Sequence, residues 1–112
     1  MGNNIEKINK LAEKGKVSKI LSYLKSKDKA TRVAAIRALG KCGHNEEAIN
    51  TLTTMLITST DKEERIAIYD SLGELGKEQS FFHISHYLDK ENDPDVTAVM
   101  RKAMAKIRQR KE

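Results

Sequence analysis

The chain has 112 residues, 38% hydrophobic and 33% charged, with a formal net charge of +5. That is the length of a single domain, and no apolar run approaches the roughly 18 residues of a membrane span. The lone Cys42 excludes an internal disulfide and suits a cytoplasmic protein, so neither a membrane role nor a disulfide-stapled fold is expected.

The first residues lack a signal-peptide apolar stretch, and Glu6 stands where a myristoylation pattern needs Ser or Thr. Ile5, Ile8, Leu11 and Ala12 share one helical face and predict a helix over 4–14, stopped by Gly15. A second helix over 16–26 is closed by Leu24, and a third over 29–42 starts at Asp28. The fourth, 45–58, carries Ala48, Ile49, Leu52, Met55 and Leu56 as one apolar stripe. Asp61 can cap the fifth helix, 61–75, in competition with a capping box between Thr60 and Glu63. This helix bears Ile66, Tyr69, Leu72 and Leu75 and ends at Gly76. A sixth helix spans 78–89. The seventh, 94–110, opens on Asp93-Pro94, an N-cap followed by an N1 proline, and buries Val96, Val99, Met100, Ala103 and Ile107.

These elements repeat. Asp28, Asp61 and Asp93 stand 33 and 32 residues apart, and Leu39, Leu72 and Met104 keep the same spacings, as do Cys42, Leu75 and Ile107. Leu24, Leu56 and Leu88 recur every 32 residues. In the third unit Thr97 replaces the arginine at Arg32 and Arg65, while Ala105 and Arg108 replace the glycines. The expectation is one domain, 1–112, of three helix–turn–helix units, 16–43, 44–76 and 77–110, behind a capping half-repeat at 4–15. Its fold class is all-α: a right-handed α-α superhelix, a short solenoid of about seven helices.

The run Asp28, Arg32, Ala35, Leu39, Gly40, Gly43 resembles the HEAT repeat, specifically the HEAT-like subclass of the phycobilisome lyases. The likeness covers residues 16–108. It implies that Asp28, Arg32, Asp61 and Arg65 are structural, capping helices and linking units. It also implies protein binding on the face lined by second helices. On that face Val33, Arg37 and Lys41 lie at i, i+4, i+8, matched by Ile66, Asp70 and Glu74 and by Ala98, Lys102 and Lys106. Stacked, they predict an apolar row beside charges running basic, acidic, basic, a groove for a protein or peptide partner.

Residues 1–43 hold eleven Lys/Arg against three Asp/Glu, residues 44–100 four against twelve, and residues 101–112 six against one. This pattern opposes one continuous basic track for a phosphate backbone, and it permits self-association between end and middle. Apolar surface left at Ile5–Ile8 or Val99–Ile107 would favour the same pairing of copies. The alternative function is a nucleic-acid-binding module using the basic end helices, including Arg101, Lys102, Lys106, Arg108, Arg110 and Lys111, although no aromatic interleaves that run.

No phosphate loop or hydrolase motif occurs, and no cofactor or enzymatic activity is expected. His83 and His86, with Asp89, lack a third ligand at matched spacing and read as surface or packing residues rather than a metal site. Cys42 beside His44 sits at an apolar repeat position and reads as a small core residue. Of Phe81 and Phe82, one ring must face the core.

Overall fold

A computed structural model describes the chain from residue 2 to 111, with side-chain environments for residues 4–109. Seven α-helices follow one another: α1 (Gly2–Glu13), α2 (Val17–Ser22), α3 (Lys29–Cys42), α4 (Glu46–Thr58), α5 (Lys62–Leu75), α6 (Glu78–Leu88) and α7 (Pro94–Lys111). The helix expected over 16–26 is shorter, because α2 tightens into a 3-10 turn at Tyr23–Lys25. There the Ser22 hydroxyl bonds back to the Lys19 carbonyl at 2.6 Å, and Ser26 turns extended, which ends the helix.

Short polar caps start α3, α4 and α5. Asp28, Asn45 and Asp61 each sit in extended backbone and accept an N–H three residues on, from Thr31, Ala48 and Glu64 at 3.1, 2.8 and 3.0 Å. Asp61 is thus the cap of α5, where the sequence left Thr60 with Glu63 in competition; the Asp61 carboxylate accepts the Glu64 N–H. Gly15 and Gly76 end α1 and α5 at φ of 67° and 69°, where a Cβ would be strained. After Gly15 the Lys16 N–H reaches back to the Leu11 carbonyl at 2.9 Å.

The helices form two layers in a body of 38 × 30 × 18 Å, the short dimension matching two helix diameters of about 10 Å. The second helices pack side by side, α3 on α5 and α5 on α7, with α1 taking the preceding place against α3. Helices α2, α4 and α6 lean on the second helix of their own unit. Between the layers lie Ile8, Ile20, Ile36, Leu39, Ile49, Leu52, Ile68, Leu72, Ile84, Met100 and Ile107, all fully buried. Each removes most of its side chain from water, worth about 1.5–3 kcal/mol apiece before entropy is charged against it.

The second helices approach closely because the Leu-Gly pair brings a bare backbone to the seam. A Cβ on Gly40 would lie 2.8 Å from the Ser71 hydroxyl, and one on Gly73 would lie 2.9 Å from the Ala103 Cα. The Ser71 hydroxyl uses this proximity to donate to the Ile36 carbonyl at 2.9 Å, fully buried. Residue 36, buried Ile, recurs as buried Tyr69 and then as Arg101, which is exposed on α7 where no further helix of the described residues follows.

Cations of one unit reach carboxylates of the next. Lys29 contacts Asp61 at 2.9 Å and Glu63 at 3.1 Å, and one unit later Lys62 contacts Asp93 at 3.0 Å and Asp95 at 2.8 Å. Arg32 pairs with Glu64 and Arg65 with Glu91, both carboxylates nearly buried. Arg32 and Arg65 therefore serve the next unit rather than the aspartate four residues behind. Asp28 and Asp61 each turn an oxygen to a helix N–H, Asp61 gives its other oxygen to Lys29, and the long arginine reaches across the seam.

The apolar ends foreseen as sites of pairing are largely spent inside the fold. Ile8, Met100, Ala103 and Ile107 are buried and Val99 half-buried, while Ile5 is 36% exposed.

Candidate functional site

The seam between second helices also shapes a surface. With Gly40 and Ser71 drawing α3 and α5 together, the flanking turns leave a shallow groove of about 330 Å³ across three helices. Its lining is Arg37, Gly40 and Lys41 from α3, Asp70, Ser71 and Glu74 from α5, and Lys102 and Lys106 from α7. All six charged residues chosen from the repeat register thus converge. Gly40 and Ser71 on the floor were not among them, though the Leu-Gly pair and the small residue before it in the next unit were visible signals.

The charges are cross-linked rather than arranged as independent stripes. Arg37 Nη1 meets Asp70 Oδ2 at 3.2 Å, and Lys106 pairs with Glu74. These pairs join α3 to α5 and α5 to α7 on an exposed face, where each contributes only about 0.2–1 kcal/mol. Lys41 and Lys102 are exposed and form no ion pair among the described residues. Four cations against two carboxylates leave the groove net basic.

The apolar row sits differently. Val33 and Ile66 are half-buried and packed against the core, and Ala98 is exposed on α7; none lines the groove. They lie one turn before the charged positions, so the row borders the groove as a partly submerged shoulder.

Other candidates disperse. His83 and His86 are exposed on α6, where they line a hollow with Gln79, Phe82 and Tyr87, and His86 Nε2 lies 3.4 Å from Lys90 Nζ. Among the described residues no three His, Cys, Asp or Glu side chains gather around a possible metal position. Cys42 is half-buried against the core, its thiol donating to the Ala38 carbonyl at 3.4 Å, and burial pushes its pKa up. That keeps it a thiol near neutral pH, the less nucleophilic form. Phe81 is the inward ring, half-buried with the Arg108 guanidinium 4.7 Å above it, while Phe82 is 63% exposed. The side chains of Arg110 and Lys111, part of the basic C-terminal run, lie outside the described residues.

Stacked two-helix units with cross-seam pairs and a second-helix groove define an α-solenoid. The family model of HEAT repeats matches residues 17–105, and the chain belongs to that family. No curated protein and no solved structure matches it. No helix among the described residues is long and apolar enough to cross a membrane.

Proposed function

We propose that the protein is a non-catalytic scaffold that docks a segment of a partner protein along the second-helix face. The residues of that face are Val33, Arg37, Lys41, Ile66, Asp70, Glu74, Ala98, Lys102 and Lys106. The observation that carries this reading is the convergence of side chains from three successive units on one groove. A repeat needs only its seam residues to stack, and among the described residues Lys41 and Lys102 form no ion pair that would explain them. The net basic lining fits an acidic segment, with the Val33 and Ile66 shoulder offering apolar contact. Both carboxylates of the groove are committed to cations across the seams, which suits reading a charge pattern rather than moving a proton. A cytoplasmic setting agrees with the single cysteine.

The test is affinity purification from the source cell followed by K41E/K102E in the same assay. These positions form no ion pair among the described residues, so the fold is expected to persist and retention of the partner to drop at least roughly tenfold. Unchanged retention by the folded variant ends this reading.

A further inference from the structure

The N-terminal end of the array carries a second recessed surface made by different residues. Lys7, Lys10 and Leu11 of α1, Lys19 and Ser22 of α2, and Tyr23 of the following turn line a groove of about 440 Å³. Leu11 and Tyr23 are half-buried and packed on the core, so they form an apolar floor, while the three lysines are exposed at the rim. Lysine stems cover apolar surface and hold the ammonium outward, which gives this rim a charged edge over a greasy floor.

The charge here is unspent. Lys29, Arg32, Arg37, Lys62 and Arg65 each meet a carboxylate of the following unit. Before Lys29 the pattern stops: among the described residues none of Lys7, Lys10, Lys14, Lys16, Lys19, Lys25 and Lys27 forms an ion pair. The acidic residues nearby in sequence, Glu6 and Glu13, do not line the groove. Three rim lysines that form no ion pair among the described residues, set over an apolar floor, serve no internal purpose that the repeat requires.

We propose that this groove binds an acidic segment of another protein that presents a large apolar side chain. The apolar group seats on Leu11 and the Tyr23 ring, and carboxylates on either side of it meet Lys7, Lys10 and Lys19. Charge complementarity selects an anion, and the floor selects among anions. A phosphate backbone has nothing to place on Leu11, and Tyr23, the one aromatic lining the groove, offers no run of stacking platforms for successive bases.

The test is fluorescence anisotropy of the full chain at low salt with four labelled probes. They are a short peptide of Glu and Asp around a central Phe and Leu, a polyglutamate of equal length, and a single-stranded and a duplex DNA oligonucleotide. The acidic–apolar peptide is expected to bind, to weaken as salt rises, and to outbind polyglutamate and both oligonucleotides. The variant carrying Lys7→Glu, Lys10→Glu and Lys19→Glu should lose at least roughly tenfold in affinity, while Lys77→Glu with Lys90→Glu, exposed positions that line neither groove, retains it. Lys7→Gln, Lys10→Gln and Lys19→Gln together provide a milder set whose loss is read if charge reversal impairs folding. Four results overturn the proposal: no peptide binding by the parent chain at low salt, equal binding of polyglutamate, tighter binding of either oligonucleotide, or a loss confined to K41E/K102E. The last would also leave the second-helix face as the acidic-segment site, so the two readings fail separately.

Discussion

Gly40 lies against Ser71 so closely that a Cβ on residue 40 would come within 2.8 Å of the Ser71 hydroxyl and 2.9 Å of its Cα. In an exposed helix, Gly→Ala stabilises by about 1 kcal/mol. Here the sign reverses, because the neighbour includes backbone and cannot swing away. Gly40→Ala and Gly73→Ala should each destabilise by about 1–3 kcal/mol, lowering Tm by roughly 4–8 °C per kcal/mol. Thermal unfolding checks this, with Lys41→Ala as the neutral control; a raised Tm for either glycine variant would contradict the seam.

The Arg32–Glu64 pair is partly desolvated, with side-chain exposures of 26% and 10%. Arg32→Ala strands the Glu64 carboxylate, held otherwise among the described residues by the Ser59 hydroxyl at 3.4 Å. Because the arginine is not fully buried, the low end of the usual range applies, about 3 kcal/mol. Arg32→Met combined with Glu64→Leu should cost less than the single change. A double-mutant cycle in urea measures the coupling, and additivity of the two changes would show that the pair is not coupled.

Stability should fall on acidification in a way the caps dictate. The Thr31 hydroxyl and N–H lower the pKa of Asp28, the Glu64 N–H and then Lys29 lower that of Asp61, and Lys62 lowers that of Asp93. A carboxylate with a depressed folded pKa contributes stability above its unfolded value of about 3.9 and loses it as pH falls through the folded one. Asp61→Asn keeps an N-cap acceptor but removes the charge, so its urea midpoint should vary less with pH below about 4 than that of the parent chain. Lys29 and Lys62, raised by the same pairs, lose their contribution only as pH climbs past about 10.4.

Cys42 should behave as a shielded thiol. Burial raises its pKa, and its Sγ is engaged with the Ala38 carbonyl. Modification by an aromatic disulfide reagent at neutral pH should run at least roughly tenfold slower than for a peptide thiol, then accelerate on unfolding in urea. Rapid reaction of the folded chain would show an accessible thiolate instead.

The helix starts were legible because their signals are local. Asp28 and Asp61 stand before apolar periodicity, and Pro94 fixes a first turn by its own ring. The 3-10 ending of α2 was not legible, since serine side chains such as Ser22 and Ser26 can bond the backbone either within a helix or at its end. The six charged groove residues were legible because a strict repeat places equivalent positions on one face. Their pairing was not: register says that Arg37 and Asp70 are equivalent, but only the inter-helix distance, set by Gly40 and Ser71, brings them to 3.2 Å.

The sequence by itself determined the number of helices, their boundaries within a few residues, the repeat and the family, because periodicity and capping act between residues a turn apart. Tertiary structure decided which charges are spent and which remain. Arg32 and Arg65 are consumed by the next unit, whereas Lys41, Lys102 and the N-terminal lysines are left facing solvent. That division rests on Coulomb and steric terms between residues about one repeat apart in the chain, which no local pattern contains.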